Sequence, residues 1–402
     1  MFHKLKIVFV KAYDFPLGGA PQNRALGICR GLIEEGHIVE IHQYAPAKLD
    51  LPQNHLKKQI YKSVPIYNHA WRWSPVKSKY HQAIGIIEGM IISLWSIFKS
   101  HRINRVDYIF FGAHKNIFII PFFLLSKILG AKFGRDLNEY PTYVLSPDDY
   151  NWYQKKYKML TNYRWYDVLF IMTKHLVNYY KPLLKKDAKT LLLPMTVDMD
   201  RFAHPSKELI HSKYITYCGD LSQSKDGVLS LIKSFAKIKD EFGEVKLKLI
   251  GENKDKEYIK SLKELICDLG LSDSVVLTGY IHPDKIPSEL YNSRLLVLSR
   301  PNTVQAQGGF PTKLGEYLAT GIPVAVTSVG EIPYYLKDGK NAFMTEPDDI
   351  EGFANAMRRA LKDDELSLKI GSTGRETAIV HFSHRSQGYV TSNFLKNGME
   401  NK

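Results

Sequence analysis

The chain has 402 residues, 44% of them hydrophobic and 24% charged, which is the composition of a globular protein with room for two or three domains. Its net charge of +14 is uneven: residues 1–200 hold 28 Lys and Arg against 15 Asp and Glu, so nearly all of the excess lies in the first half. Cys29, Cys218 and Cys267 are far apart, which excludes a disulfide framework or a cysteine metal site and fits a reducing compartment.

The first half alternates strand and helix signals. Lys6 to Val10 predicts an apolar strand, entered directly after Met1 with no signal-peptide core. The loop Asp14–Pro21 follows, then a helix to about Glu35 with Leu26, Cys29, Leu32 and Ile33 on one face, and a strand from His37 to Gln43. Gly18 and Gly19 between strand and helix, with Arg24 one turn in, make an anion-site geometry; the alternative is a tight turn that needs glycine for steric reasons. Residues 51–80 are polar, basic and aromatic. Residues 82–99 and Ile117–Leu129 are two strongly apolar stretches, neither expected to supply the roughly 18–20 apolar residues that spanning a bilayer requires, because Glu88 interrupts the first and Lys127 the second. They are expected to be core helices of an α/β sheet. With Lys99, Arg102, Arg105 and Lys115 nearby, the alternative is a helix pair lying in the plane of an anionic leaflet. Strands are expected at Val106–Phe111, Ala131–Leu137, Asp167–Met172 and Thr190–Leu193. The second ends in Asn138-Glu139, a carboxylate at the carboxyl end of a parallel strand, where such sheets bind ligands.

A linker is expected at His204-Pro205-Ser206, dividing the chain into domains 1–203 and 204–383, with a last helix from about 384 packing back on the first. The second half repeats the α/β alternation, with strands at Tyr214–Cys218, Lys246–Ile250, Val275–Thr278, Leu295–Leu298 and Pro323–Thr327. This spacing suits βαβ units and a doubly wound parallel sheet. Three loops at its carboxyl edge carry cations. Gly219–Gly227 holds Lys225 at a helix start, Arg300 follows Leu298, and Gly308-Gly309-Phe-Pro-Thr312-Lys313 feeds a helix that carries Glu316. A loop entering a helix N-terminus, with ammonium and guanidinium groups beside it, suits a diphosphate; Glu316, on the same helix face as Lys313, suits ribose hydroxyls.

The stretch from Phe310-Pro-Thr-Lys-Leu-Gly-Glu-Tyr-Leu to Val324 resembles the nucleotide-sugar-binding domain of the retaining GT-B glycosyltransferases of family four. So do Gly219–Gly227, Leu277-Thr278-Gly279-Tyr280, Gly330-Glu-Ile-Pro and Asp338–Asp349. The first half fits that family's acceptor domain through Gly18-Gly19 and Pro194-Met-Thr-Val-Asp198. The wording is most similar to bacterial members that build cell-surface polysaccharide. The resemblance implies two Rossmann-like domains facing across a cleft, and transfer of a sugar from a nucleoside-diphosphate sugar to a glycan or lipid-linked acceptor with retention. It implies no cofactor and no metal, and a protein at the inner face of a membrane. Lys225 matches the family's diphosphate-binding lysine and Glu316 its ribose-binding glutamate. Two positions depart from the pattern. Gly308 stands where a first glutamate would touch the donor sugar; Gln305, Gln307 or the Gly308 and Gly309 amides are candidates to replace it. Asp220 stands where an arginine would pair with Lys225; Arg300 or Lys313 is expected to supply that charge. Glu139 is the candidate acceptor base, with holding of the next loop as its alternative role. A UDP-sugar epimerase or a GT-B binding module without catalysis are the competing readings. A nucleic-acid partner is not expected, because the lysines are scattered among ordinary α/β elements.

Overall fold

Lys6–Lys11 alternates nothing: every residue of this first strand, β1, is buried, as a central parallel strand with both faces covered requires. The computed structural model describes residues 4–12, 14–113, 116–141, 144, 151–152, 163–203 and 212–399. The chain divides into two units, Met1–Thr196 with Ser383–Lys402, and Val197–Phe382. That division falls seven residues before the expected 203/204 boundary, and the linker expected at His204-Pro205-Ser206 lies outside the described residues.

In the first unit, β1 leads to α1 (Ala20–Glu34), β2 (Ile38–Gln43), β3 (Lys58–Tyr61), β4 (Val64–Asn68) and α2 (Lys79–Ile103). There follow β5 (Tyr108–Phe111), α3 (Asn116–Ile128), β6 (Lys132–Leu137), β7 (Val168–Ile171), α4 (Lys174–Tyr180) and β8 (Lys189–Leu192). The eight strands are ordered β3-β4-β2-β1-β5-β6-β7-β8, and only β3–β4 is antiparallel. Sequence reasoning missed that β3–β4 hairpin, because β3 is largely exposed and β4 buries only alternate residues, so neither gives an unbroken buried run. The core packs Phe9, Phe110 and Phe170 in a stack across three strands, with ring centroids 5.0 and 4.5 Å apart. Onto it pack Ala25, Ile28, Cys29 and Leu32 of α1.

Helices α2 and α3 depart from the expectation of core helices. α2 runs 25 residues, not 18, and is long and apolar enough to cross a membrane by length and composition. Yet little of it is buried, and Ile84, Ile87, Ile91 and Trp95 are exposed. α3 likewise exposes Ile117, Leu124 and Ile128. Lys115, grouped above with the neighbouring cations, lies outside the described residues.

The second unit runs β9 (Tyr214–Cys218), α5 (Gln223–Asp226), α6 (Val228–Ala236), β10 (Lys246–Ile250), α7 (Lys256–Asp268), β11 (Val275–Gly279), α8 (Ile286–Tyr291) and β12 (Leu295–Leu298). It continues with α9 (Val304–Gly308), α10 (Thr312–Thr320), β13 (Val324–Thr327), α11 (Ile332–Tyr335), β14 (Phe343–Thr345), α12 (Ile350–Lys362) and α13 (Asp364–His381). All strand pairs are parallel, in the order β11-β10-β9-β12-β13-β14. Leu295, Leu296, Val297 and Leu298 are all fully buried, each such side chain contributing about 1.5–3 kcal/mol. Short four-residue strands hold because both faces are covered, which is why they read as unbroken apolar runs. The chain ends in α14 (His384–Met399), which belongs to the first unit and packs along α1. There Tyr108 donates to the Leu395 carbonyl at 2.8 Å, and His37 meets Ser392 Oγ at 2.8 Å.

Candidate active site

The sheet of the second unit reverses direction beside β9. From β9 the chain winds outward through β10 and β11, then returns to lay β12 on the other flank. Open α/β sheets take ligands outside the carboxyl ends of their strands at such a reversal. The loops that leave β9 and β12 meet there. Gly227 has φ +67 and ends α5, and a Cβ on it would fall 2.0 Å from the Ser299 carbonyl oxygen. Only glycine fits both the left-handed backbone and that approach. The start of α10 joins the same edge, since a Cβ on Gly219 would lie 2.2 Å from Lys313 Nζ. No side chain caps the first turn of α10.

Lys313 is not the open phosphate ligand expected. Its ammonium donates to Asp226 Oδ2 at 2.6 Å and to the Tyr217 hydroxyl at 2.9 Å, and lies 4.7 Å from the Tyr217 ring centre. Asp226 is buried, so the pair is neutral and ties α10 to the loop after β9. Burial holds the Lys313 pKa below the ordinary lysine value, with Asp226 pulling the other way. Burial, followed by the Asp226 charge, pushes the Tyr217 phenol well up. Tyr317 clamps the strand end beside them: the Cys218 amide donates to its hydroxyl at 2.6 Å, and the hydroxyl donates to the Cys218 carbonyl at 3.2 Å. Burial pushes the Cys218 thiol up to about 12, the Glu316 carboxylate adding to it, so this cysteine is a neutral wall.

Glu316 lies one turn into α10 and is partly exposed. Its Oε1 accepts from Arg201 Nη1 at 2.6 Å, while Arg201 Nη2 donates to the Pro283 carbonyl at 3.0 Å. Arg201 comes from a 3-10 turn over Met199–Phe202. Sequence reasoning missed Arg201, Asp226, Tyr217 and Tyr317. Asp226 sits between Lys225 and Gly227 in the motif itself, and its acidic character next to Lys225 was the available signal.

Lys225 is half-buried in α5, a turn of its own ahead of α6 rather than at the start of a longer helix. Its ammonium makes no hydrogen bond or ion pair among the described residues. Arg300 is buried directly after β12, and its carbonyl accepts from Thr327 Oγ1 at 2.8 Å; its charge also bears on Lys313. Thr312 opens α10 as expected. Gly308 corrects the reading of residues 308 and 309 as a loop: it closes the short helix α9 and is buried. The Gly309 amide donates to the Gln305 carbonyl at 3.0 Å, and the Gln307 side-chain amide donates to Asn302 Oδ1 at 2.7 Å. Of the candidates to replace the missing carboxylate, this leaves the half-buried Gln305 side chain unengaged among the described residues. A cavity of about 410 Å³ lined by Asp220, Glu252, Asn253 and Lys254 opens at the same sheet edge.

In the first unit, Arg24 is a structural cation and not an anion ligand. It is buried, holds the Asp136 carboxylate through Nε and Nη2 at 3.0–3.2 Å, and donates to the carbonyls of Leu193 and Pro194. The Gly19 amide is likewise taken, by Gln22 Oε1 at 3.0 Å, and a Cβ on Gly18 would strike the Gln22 side chain. The two glycines serve a tight capped helix start. Glu139 is exposed past the end of β6; its carbonyl accepts from Tyr180 at 2.9 Å, and its carboxylate makes no hydrogen bond or ion pair among the described residues.

A family model described as glycosyl transferases group 1 matches residues 212–363, the span that holds β9, α5, β12 and α10. The chain is 24% identical over 220 residues to a GDP-mannose-dependent alpha-(1-6)-phosphatidylinositol monomannoside mannosyltransferase of Mycolicibacterium smegmatis, covering 52% of this chain and 56% of that one. It is 29% identical over 164 residues to N-acetyl-alpha-D-glucosaminyl L-malate synthase of Bacillus anthracis, covering 41% and 40%. It thus spans about half the length of the curated relatives it matches. Among solved structures, Anabaena Alr3699/HepE in complex with UDP and glucose aligns with a TM-score of 0.69 at 17% identity over 98% of this chain and 99% of that one. Sucrose-phosphate synthase from Thermosynechococcus elongatus aligns with a TM-score of 0.72 at 14% identity over 99% and 100%. These likenesses give the GT-B fold of two Rossmann-like domains. Residues 212–363 thus carry a group 1 glycosyl transferase domain, in a chain whose fold is GT-B.

Proposed function

We propose that this protein is a glycosyltransferase that moves a sugar from a nucleoside-diphosphate sugar to a glycan or lipid-linked acceptor of cell-surface polysaccharide, on the cytoplasmic side of the membrane and with retention. The observation that carries the reading is the meeting of the Lys225 loop, Arg300, the uncapped α10 start and Glu316 at the reversal edge of one matched domain. The reaction breaks the bond between an anomeric carbon and a diphosphate, with positive charge growing on the sugar and negative charge on the leaving phosphate. Cations and helix amides aimed at that phosphate stabilise the transition state more than the ground state. Lys225 is the group we assign to the leaving phosphate, because its ammonium is not engaged elsewhere among the described residues. Lys313 acts through Asp226, holding the Lys225 loop against α10. Glu316, oriented by Arg201, takes the ribose hydroxyls. Gln305 is our candidate for contact with the donor sugar, and Glu139 for accepting the acceptor's proton. Relatives named for GDP-mannose, for phosphatidylinositol mannoside and for lipopolysaccharide core support a nucleoside-diphosphate donor and a surface glycolipid or glycan acceptor. A binding module without transfer is the second reading, favoured by Gly308 in place of a carboxylate.

The test is a panel of UDP- and GDP-sugars with lipid-linked and free glycan acceptors, scored by release of free nucleoside diphosphate. Release with one donor, lost in Lys225→Ala, supports the transferase. Donor binding without release on any acceptor would establish the binding module instead.

A further inference from the structure

A helix that serves only a protein core turns its apolar face inward, and α2 does not. Ile84, Ile87, Ile91 and Trp95 are 50, 60, 62 and 57% exposed, and their spacing of three or four residues sets them on one face. α3 repeats the pattern with Ile117, Leu124 and Ile128, which are 69, 53 and 74% exposed. The two helices touch each other, so both lie on one face of the sheet.

The opposite face of α2 fixes its orientation. Gly85, Gly89, Met90, Ser93 and Ile97 are buried against the domain. A Cβ on Gly89 would lie 2.1 Å from the Tyr44 carbonyl oxygen. A helix held that closely stays along the domain, although its length would allow it to cross a bilayer. Its free face can only lie parallel to whatever covers it.

Charge identifies what covers it. Lys99 and Arg102 are exposed at the carboxyl end of α2, Arg105 just past it at 4.0 Å from Asp107, and Lys127 at the end of α3, 3.6 Å from Asp167, which it shares with Lys185. Lys99 Nζ lies 5.0 Å from the Trp95 ring centre and Lys127 Nζ 5.2 Å from that of Phe123, so the stems lie along apolar surface with the ammonium groups at its rim. The only acidic residue in either helix is Glu88, and it is taken up by Trp73 Nε1 at 2.6 Å and Arg72 at 3.7 Å. A second copy of the chain pairing face to face would bring these cations together.

We propose that α2 and α3 form a docking surface for an anionic lipid bilayer. α2 lies in the membrane plane; the isoleucines, Leu124 and Trp95 enter the boundary between headgroups and acyl chains, and Lys99, Arg102, Arg105 and Lys127 meet lipid phosphates. The surface is in the first unit, so its failure leaves the transferase reading untouched, and the reverse holds too.

The test is co-sedimentation of the full chain with vesicles of phosphatidylcholine alone and of phosphatidylcholine with phosphatidylglycerol. The chain should partition at least tenfold more strongly to the anionic vesicles, and that excess should shrink when salt shortens the screening length from about 10 to about 3 Å. Ile91→Glu with Leu124→Glu should lower partition at least tenfold while the circular dichroism melt is unchanged. Ile91→Ser with Leu124→Ser gives the same reading if the charged variant misfolds. The proposal is overturned if the wild-type chain stays in the supernatant with anionic vesicles, or if either double variant binds as wild type does. It also fails if the wild-type chain is a dimer that these substitutions dissociate and no vesicle binds it.

Discussion

Removing the Asp226 charge should loosen the whole donor edge. Asp226→Asn keeps the volume but leaves the Lys313 ammonium, now 2.6 Å from a neutral amide, without its counter-charge. The gross attraction in the pair is about 6 kcal/mol at an effective dielectric constant of about 20, and desolvating two ions offsets most of it. The asymmetry therefore decides the outcome. Deleting one member of a buried pair costs about 3–5 kcal/mol, whereas replacing both with neutral groups is close to neutral. Lys313 keeps some access to water, so the lower end applies, about 3 kcal/mol. Asp226→Asn with Lys313→Met should recover all but roughly 1.5 kcal/mol of that. Tryptophan fluorescence is blind to this, because all five tryptophans lie in residues 71–165. Hydrogen exchange of the β9 and β12 amides reads the second unit directly, and about 3 kcal/mol appears as roughly 100-fold faster exchange. Exchange within twofold of wild type in Asp226→Asn, or a double variant as labile as the single one, would refute the ion pair as the tie between α10 and the β9 loop.

Two further outcomes are expected. Glu316→Ala should weaken nucleoside diphosphate-sugar binding at least tenfold by calorimetry, and Arg201→Ala roughly threefold, while neither shifts stability by more than about 1 kcal/mol because the pair is partly exposed. Unchanged affinity in Glu316→Ala would displace the ribose site from α10. In the first unit, burial, aided by His42 and Lys57, holds His69 down to about 3, against 6.5 when unfolded. The unfolded state then binds more protons below pH 6.5, so stability falls as pH falls, by roughly 1.4 kcal/mol per unit down to about pH 4. Glu40 adds to the fall only at the acid end of that window: burial pushes its carboxyl up, but His42, Lys6 and Ser100 outweigh that and hold it at about 2 in the folded chain, against 4.5 when unfolded. Tryptophan-monitored urea unfolding should show this slope in wild type and lose most of it in His69→Asn; an equal slope in both would reject the assignment.

The sheet order follows from features a sequence displays. β1, β5, β7, β12 and β13 are unbroken apolar runs separated by helical spacing, and right-handed crossovers leave few ways to order them. The β3–β4 hairpin was hidden because edge strand β3 is largely exposed and β4 buries only Val64, Ile66 and Asn68 in alternation, a short pattern without an unbroken apolar run. The length of α2 was hidden for a related reason. Its ends carry Lys79, Tyr80, His101 and Arg102, and hydropathy fades there before the helix does. Which face of α2 is covered is a tertiary fact: Gly85 and Gly89 mark the buried side only once Tyr44 and Trp73 are seen against them. In the site, chain position disclosed which loops converge, because strand ends in a parallel sheet share one edge.

Pairing is what spacing could not disclose, and it changes the electrostatics of the edge. Counted from sequence, Lys225, Arg300 and Lys313 stand against Glu316. In the folded domain Asp226 cancels Lys313, and Arg201 cancels Glu316. The edge thus keeps its excess of positive charge by adding one ion of each sign, neither of them in the cation count. The two added ions do different things. Asp226 fixes the loop that carries Lys225, and Arg201 fixes the direction of a carboxylate. Both therefore set geometry, and of the three cations counted from sequence it is Lys225 whose ammonium makes no hydrogen bond or ion pair among the described residues. A departure from the family pattern at Asp220 is tolerable on that arrangement, since its carbonyl joins the Tyr217 hydroxyl at 2.6 Å while its side chain borders the neighbouring cavity.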